Sequence, residues 1–202
     1  LQSGLTSTDT ITYPDATRAG YGSYTFTTTD TITLNAGNTI QGLTTDGVYM
    51  YLIGVNMDVD RIDPANITTP TLGFGTLTEG LFGGYRGISY DPPNRTYWAY
   101  NQDGNVYEYD NSFTYTGNSF DSTGGGNVQG VAINGNTLWT LEVNGTLKQF
   151  TRPNISTVWS SPTTIATISE DPSYRDLQYF QGYLWAGGTD RILYQYTTAG
   201  VY

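Results

Sequence analysis

The hydrophobic residues of this chain fall in short runs and alternations, and no helical period is sustained anywhere. The clearest stretch, from Val128 to Phe150, reads as three short strands in a row. The chain also contains 18 Tyr, 4 Trp and 7 Phe. Aromatic residues suit a pleated, half-buried surface, so the pattern predicts an all-β protein.

The three-strand unit occurs four times. Each copy has a Gly or Asp in its first strand, an aromatic residue in its second, and an Asn or Asp five residues after that aromatic. Copy by copy these are Gly42, Tyr51 and Asn56; Gly87, Trp98 and Asp103; Gly130, Trp139 and Asn144; and Asp176, Trp185 and Asp190. The first positions lie 45, 43 and 46 residues apart. Such a period, with three or four short strands per unit, is typical of a β-propeller with one unit per blade.

The turns and outer strands are predicted from the same alignment. Asp103-Gly104 and Asn144-Gly145 favour two-residue type I′ hairpins, in which both central residues have positive φ. Fourth strands are predicted near Thr71–Phe74, Phe113–Thr116 and Thr164–Ile168. The last blade lacks a fourth strand, and Thr31–Leu34 is expected to supply it and close the ring. The sequence therefore predicts a four-bladed propeller over residues 30–202.

Residues 1–29 precede the repeats, with polar strands possible around Thr8–Tyr13 and Ser23–Thr28. Three arrangements remain open for this segment. It forms a hairpin packed on the ring, a degenerate fifth blade, or a β arm that adds strands to a neighbouring subunit.

The composition limits which reactions and partners are expected for this chain. The chain has no Cys and no His, which removes the commonest nucleophiles, general bases and metal ligands, and we expect no cofactor. Its formal net charge is −10, which disfavours nucleic acid as a partner. No apolar run is long enough to span a membrane. The first residue, Leu1, fits either a numbering choice or a removed leader, and the second reading would place the protein outside the cytoplasm.

The densest acidic cluster contains Asp58, Asp60 and Asp63, with a spacing similar to that of a calcium loop. Such a loop needs Gly and Glu where this chain has Arg61 and Ile67. We therefore expect a solvated strand face with Arg61 as the local partner, and no metal site.

Four carboxylates near strand ends are the candidates for catalysis, namely Glu142, Glu170, Asp171 and Asp176. A glycosidase needs two carboxylates about 5–10 Å apart across a sugar, and nothing in the sequence brings two of these together. Asp176 stands where the other repeats have Gly, so it either lines the axis or caps a turn. The prediction is a protein that is not an enzyme.

In every repeat, a polar residue directly precedes the first-strand Gly or Asp. These polar residues are Gln41, Arg86, Gln129 and Arg175. These four are expected to form a ring at one mouth of the channel, which either binds an anion or hydrogen-bonds the loops.

Asn-x-Ser/Thr sequons occur at Asn66, Asn94, Asn144 and Asn154. All four fall in predicted turns or connectors, so we expect them to be exposed and able to carry a glycan if the protein is secreted.

The repeat resembles β-propeller blades generally over about 170 residues, a match that indicates fold and is nearly silent on function. The richness in Tyr, Thr and Asn, the single Lys and segments such as Thr25–Thr29 also resemble surface and virion proteins of acid-loving hot-spring archaea and their viruses. In particular, the chain is similar to a tail or nozzle component of a spindle-shaped archaeal virus. That resemblance implies an extracellular, acid-stable structural or attachment protein that forms homo-oligomers, meets other virion or cell-surface proteins and contacts host glycans. The alternative is a secreted glycan-binding or glycan-cleaving propeller.

Overall fold

The computed structural model describes residues 9–11, 24–26, 39–80, 84–122, 128–154, 158–171, 173–190 and 192–202. The chain divides into two compact units, Leu1–Thr33 and Leu34–Tyr202. In the first unit, β1 (Asp9–Ile11) pairs antiparallel with β2 (Tyr24–Phe26), within the two segments where strands are predicted. The closing strand predicted at Thr31–Leu34 lies outside the described residues.

The second unit is a four-bladed β-propeller, as predicted, and each blade is an antiparallel meander. Blade 1 contains β3 (Ile40–Thr45), β4 (Met50–Gly54), β5 (Asp58–Asp63) and β6 (Asn66–Thr76). Blade 2 contains β7 (Tyr85–Asp91), β8 (Thr96–Asn101), β9 (Asn105–Tyr109) and β10 (Tyr115–Asp121). Blade 3 contains β11 (Val128–Asn134), β12 (Thr137–Glu142), β13 (Thr146–Thr151) and β14 (Thr163–Thr167). In the described part of blade 4, three strands are present, β15 (Tyr174–Phe180), β16 (Tyr183–Gly188) and β17 (Leu193–Thr197). No described segment is a helix, so none is a membrane-spanning helix.

The core lies between neighbouring blades. The middle strands β8 and β12 are buried along almost their whole length, because a blade covers each of their faces, whereas the outer strand β10 is largely exposed. The buried residues form one cluster between blades 1 and 2, one between blades 2 and 3, and one between blades 3 and 4. The second-strand aromatics Tyr51, Trp98 and Trp139 lie in these clusters, so they are framework residues.

Glycine in the innermost strands lets adjacent blades touch. A Cβ on Gly87 would lie 3.2 Å from the Gln129 carbonyl oxygen, and one on Gly130 would lie 2.7 Å from the Asp176 carbonyl carbon. Neither glycine has positive φ, so the requirement is for space rather than for an unusual backbone. The sequence repeat of Gly at this position therefore reflects backbone contact between blades.

The hairpin turns between second and third strands differ from the prediction. Gly104 and Gly145 have φ of 96° and 84°, but Asp103 and Asn144 are not among the residues with positive φ. The N–H groups of Gly104 and Gly145 donate to the carbonyls of Asn101 and Glu142, respectively. These are three-residue hairpins that end in a left-handed glycine, so the type I′ prediction is wrong.

Asn and Asp recur in these turns because of a side-chain contact. Asp103 Oδ1 accepts from Asn105 N–H at 2.8 Å, and Asn144 Oδ1 accepts from Thr146 N–H at 3.0 Å. Asn56 accepts from Asp58 N–H in the same way. The side chain therefore fixes the two residues that follow it, as in an Asx-turn.

Replacing Asp103 with alanine is expected to lower the free energy of unfolding by about 1.5 kcal/mol, because the Asn105 N–H and the Tyr107 hydroxyl both lose a charged acceptor. Urea unfolding followed by tryptophan fluorescence measures this loss. Asn111→Ala, at an exposed position, is the control and is expected to change little. Equal stability of the two variants would contradict this role.

The predicted fourth strand of blade 2 is also corrected. Phe113 lies in the preceding turn, with φ of 61° and a side chain that is only 3% exposed, and β10 begins at Tyr115. Phe113 stacks on Tyr97 with ring centroids 4.4 Å apart, so aromatic packing, rather than strand pairing, explains this hydrophobic residue. The other two fourth strands coincide with or overlap their predicted segments.

Blades 2 and 4 match each other more closely than either matches its neighbours. Identical residues occupy eight equivalent positions, Tyr85/Tyr174, Arg86/Arg175, Tyr90/Tyr179, Trp98/Trp185, Ala99/Ala186, Asp103/Asp190, Tyr107/Tyr194 and Tyr109/Tyr196. The turn after the third strand also has the same hydrogen bonds, from Asp110 N–H to Thr114 O and from Thr197 N–H to Val201 O. Blade 2 is therefore a reference for the burial of matching residues in blade 4.

Candidate functional site

The four polar residues predicted to ring the channel mouth share one local geometry. Each is the extra residue of a β-bulge at the start of its innermost strand, since pairing shifts between Ile40 and Gly42 and at the equivalent points of β7, β11 and β15. A bulge re-aims a side chain and bends its strand. The sequence identified the positions Gln41, Arg86, Gln129 and Arg175, and the structure supplies the bulge.

These four side chains differ in their contacts. Arg86 Nη1 donates to Gln41 Oε1 at 2.8 Å. With its amide oxygen turned toward Arg86, Gln102 accepts from the Nε and Nη2 groups of the same guanidinium. Gln129 is half-buried and Arg175 is exposed. Two of the four residues, Gln41 and Arg86, thus hydrogen-bond within the molecule, and anion binding by the ring stays a prediction.

The axis itself is crossed by Gln178, which the sequence did not single out. Its Nε2 donates to the Ile88 carbonyl at 2.7 Å and to the Leu43 carbonyl at 3.1 Å. One side chain of blade 4 therefore connects blades 1 and 2 across the axis. A lone Gln in a strand carries no sequence signal for this role, because the role depends on which carbonyls the ring brings within reach.

Asp176 lies two residues before Gln178 on the same strand, and its Oδ1 accepts from Leu177 N–H at 2.8 Å. It keeps some solvent-accessible surface, although protein atoms crowd it closely, as expected beside a narrow axis. Burial raises the pKa of Asp176 to about 7, and hydrogen bonds from Leu177 and Gln178 offset only part of that effect. Of the two sequence-based alternatives for Asp176, its place on the innermost strand agrees with an axial position.

Glu170 and Asp171 belong to a cluster that links the connector before blade 4 to tyrosines. Glu170 Oε2 accepts from the Tyr196 hydroxyl at 2.8 Å, and the Tyr174 and Tyr196 hydroxyls are 3.0 Å apart. Asp171 accepts from Ser173 N–H at 2.5 Å and from Asp190 N–H at 3.1 Å. Although burial alone would raise the pKa of both carboxyls, these hydrogen bonds outweigh it and lower the pKa. Blade 2 has the matching pair Tyr85 and Tyr109, held by Glu79.

The other acidic residues singled out from the sequence also have hydrogen-bond or ion-pair partners. Glu142 forms an ion pair with Lys148 at 2.6 Å, and Asp63 is exposed and accepts from Ala65 N–H. Asp58 accepts from the Asn56 amide, and Asp60 is fully buried and accepts from Gly73 N–H at 2.8 Å. The expected solvated face is therefore wrong for Asp60, which has no exposed surface.

Arg61 does not have the expected partner either. Its guanidinium lies over the rings of Phe74 and Tyr49, at 4.2 and 4.6 Å from their centroids. Stacking on two aromatic rings, rather than an ion pair, is thus its described contact. Within the described residues, no three acidic side chains come together in a way that would hold a metal ion.

The sequons differ in accessibility. Asn144 and Asn66 are exposed, whereas Asn94 is half-buried and its Nδ2 donates to Asp91 Oδ2 at 2.6 Å. Attaching a glycan to Asn94 would break that bond to a fully buried carboxylate. Asn154 is exposed, and its sequon continues into residues outside the described ones.

Expression in a glycosylating host is expected to modify Asn144 at higher occupancy than Asn94, because only Asn94 must first break a hydrogen bond to a buried group. Peptide mass spectrometry after enzymatic deglycosylation gives the occupancy at each site. Asn144→Gln should remove the corresponding mass, and Asn94→Gln should leave the glycan mass nearly unchanged. Equal occupancy at the two sites would show that the contact with Asp91 does not protect Asn94.

Comparison with known proteins places the chain by fold. No protein-family model and no curated protein matches the sequence. Among solved structures, a structural-genomics protein of unknown function from Bacteroides thetaiotaomicron is 17% identical, with a TM-score of 0.53, over 80% of this chain and 42% of that one. The WD40 repeats of RRP9 are 8% identical, with a TM-score of 0.51, over 80% of this chain and 52% of theirs. The chain spans about half the length of these two structures, and at such identities the likeness shows the fold alone, a β-propeller.

Proposed function

We propose that this propeller is a non-enzymatic structural or attachment module, working outside the cell as a homo-oligomeric component of a virion tail or surface. The observation that supports it best is the state of the four candidate catalytic carboxylates. Glu142 is paired with Lys148, Glu170 with Tyr196, Asp171 with two backbone N–H groups, and Asp176 with Leu177 N–H. Each one stabilises a turn, a connector or a strand of the ring.

The composition supports an acidic, extracellular environment for the proposed module. The chain lacks His and Cys, has one Lys, and is rich in Tyr and Thr, in the manner of proteins exposed to acid outside a cell. Clusters of aromatic and aliphatic residues join neighbouring blades, and backbone ladders join the strands within each blade. Neither kind of contact titrates in acid. Other virion or cell-surface proteins would be its neighbours, and host glycans its contacts.

Native mass measurement of the purified chain tests the proposal. We expect a homo-oligomer that falls to monomer when residues 1–29 are deleted, if that segment adds strands to a neighbouring subunit. Deletion should leave the near-ultraviolet circular dichroism of the blades unchanged, which separates loss of assembly from loss of folding. A monomeric full-length chain would reject the assembly part.

The alternative is a secreted propeller that cleaves glycans. Asp171 is the candidate carboxylate that we would test for that role, and Asp190 lies beside it, since Asp190 N–H donates to Asp171 Oδ2 at 3.1 Å. Release of reducing sugar from polysaccharides, abolished by Asp171→Asn, would favour that enzyme over a structural module. Under our proposal no release is expected above the buffer rate.

A further inference from the structure

Two carboxyl groups and one guanidinium group are enclosed together at the boundary between blades 2 and 3. Asp91 ends β7 and is 0% exposed, Glu108 lies on β9 and is 2% exposed, and Arg152 follows β13 and is 4% exposed. The Arg152 guanidinium lies over the rings of Trp98 and Trp159, with its Cζ atom 5.3 and 4.6 Å from their centroids. These charges therefore lie among aromatic rings, where water screens them little.

The carboxyl group of Asp91 connects the two blades through hydrogen bonds. Gly135 N–H, in the first turn of blade 3, donates to Asp91 Oδ1 at 2.7 Å. Arg152 Nη2 donates to the Gly135 carbonyl at 3.2 Å and lies 3.9 Å from Asp91 Oδ2. From blade 2 itself, Asn94 Nδ2 donates to Asp91 Oδ2 at 2.6 Å, and the neighbouring Arg95 is exposed. A change in the charge of Asp91 would therefore be felt on both sides of the boundary.

Glu108 supplies a second negative charge at the same boundary. It is directly opposite Trp98 in the pairing of β8 with β9, and Trp98 belongs to the core between blades 2 and 3. Its Oε2 accepts from two uncharged groups of β10, the Thr116 hydroxyl at 3.0 Å and the Asn118 amide at 2.6 Å. Arg152 is the cation that faces both carboxyl groups.

Of the four blades, only blade 2 has a carboxyl group at the position of Glu108. The residue opposite the second-strand aromatic is Gln149 in blade 3, Gln195 in blade 4 and Arg61 in blade 1. Glutamine has the length of glutamate and can form hydrogen bonds without carrying a charge. The blade architecture therefore does not require the negative charge of Glu108.

We propose that Asp91, Glu108 and Arg152 form a proton-operated latch, which holds blades 2 and 3 together more firmly in acid than at neutral pH. At neutral pH two buried negative charges face one positive charge. As the pH falls Asp91 takes up a proton, which leaves Glu108 and Arg152 as a balanced pair. The Asn94 amide can turn over to accept the new O–H with its oxygen, while Gly135 N–H keeps its acceptor. The latch works within one chain, so it does not depend on the proposed assembly or attachment.

The direction of titration agrees with this latch. Burial raises the pKa of Asp91, the charge of Glu108 raises it further, and the hydrogen bonds to Asp91 and the charge of Arg152 offset only part of that rise. The folded value thus lies above the unfolded value of about 3.9, so the contribution of Asp91 is fully present below about pH 4 and is lost as the pH rises through the folded value. The charged pair on β12 and β13, Glu142 and Lys148, lies 2.6 Å apart and adds no net charge.

Heteronuclear NMR of backbone amides, recorded on the full chain from about pH 3 to about pH 8, tests the latch, because an amide shift follows the charge of its acceptor. The Gly135 amide reports on Asp91, and the Thr114 amide, which donates to Asp110 Oδ1 at 2.9 Å, is the control. At Asp110 hydrogen bonds outweigh the effect of burial and lower the pKa. We therefore expect the Gly135 signal to titrate at least about one pH unit above the Thr114 signal.

Glu108→Gln removes the second negative charge and keeps the shape of the side chain. Its Gly135 midpoint is expected to lie at least about half a pH unit below that of the parent. In urea unfolding, the ratio of the variant to the parent unfolding constant should fall at least about threefold from about pH 4 to about pH 8. Asp63→Asn removes a charge at an exposed position and is the matched control, with an unchanged Gly135 midpoint.

A Gly135 midpoint at or below that of Thr114 in the parent chain would overturn the proposal, and this measurement needs no variant. An unchanged midpoint in Glu108→Gln would overturn it too, since the second carboxyl group would then have no part in the latch. Failure of Glu108→Gln to fold at about pH 8 would do the same, because the latch requires the charge of Glu108 to weaken the boundary there.

Discussion

Gly130→Ala is expected to lower the free energy of unfolding by about 3 kcal/mol or more, the largest effect of any single change considered for this ring. The new Cβ would collide with the backbone of the next blade, since Asp176 C lies 2.7 Å from its ideal position and Leu177 N lies closer still. The backbone of β15 is held by its pairing with β16, so it cannot move aside as the end of a flexible side chain can. We therefore expect blades 3 and 4 to separate, and the core of Trp139, Leu177 and Leu184 between them to loosen.

Equilibrium unfolding in urea, read by tryptophan fluorescence, measures the effect. Gly187→Ala is the matched control, because its Cβ would meet nothing closer than Leu193 Cδ1 at 3.8 Å. That variant should stay within about 0.5 kcal/mol of the parent. If both variants lose the same stability, backbone contact between blades is not what selects glycine at position 130.

Asp176→Asn is expected to stabilise the protein by about 3 kcal/mol at about pH 8 and by very little below about pH 4. The pKa of Asp176 is raised to about 7 by burial, above the unfolded value of about 3.9, so ionisation costs the folded state more than the unfolded state. In the parent chain the contribution of this group is fully present below about pH 4 and is lost as the pH rises through about 7. The asparagine amide does not ionise and can still accept from Leu177 N–H.

The measurement is the free energy of unfolding as a function of pH for the parent and the variant. Asp63→Asn removes the same formal charge at an exposed position and is expected to show no comparable difference between the two pH values. A gain for Asp176→Asn that persists unchanged at low pH would mean that packing, and not ionisation, is responsible. No gain at about pH 8 would mean that water or a cation reaches the carboxyl group.

Acid has opposite effects on different carboxyl groups of this ring. Hydrogen bonds outweigh burial and lower the pKa of Asp46, Asp110, Glu170 and Asp171, so their contribution is present above their unfolded pKa and is lost as the pH falls through the folded value. Burial raises the pKa of Asp91 and Asp176, and these two groups favour the folded state on acidification. The acid stability implied by the resemblance to archaeal virion proteins therefore requires the packing of the cores to outweigh the stability lost at the four groups of the first set.

Local chemistry was readable from the sequence. The blade period, the strand positions and the recurrent Asn or Asp of the turns follow from alternation and from residues such as Asp103, whose side chain contacts a backbone N–H two positions away. Such contacts span few residues, so one blade carries the information for its own hairpins. Even there, the turn type was wrong, because the alignment gave the residues Asp103 and Gly104 but not their φ angles.

The tertiary structure alone decided what each blade faces. Asp60 is fully buried and accepts from Gly73 N–H, and Arg61 lies over Phe74. Gln178 reaches carbonyls on two other blades, and Trp185 is less buried than Trp98 although the two occupy the same blade position. None of these contacts can be predicted from alternation along the chain. Alternation indicates which face of the sheet a side chain is on, but not which residues pack against that face. Repeated sequence thus determined four similar blades, while the packing of the ring, in which Asp176 replaces a glycine at one boundary, decided how deeply each of their equivalent residues is buried.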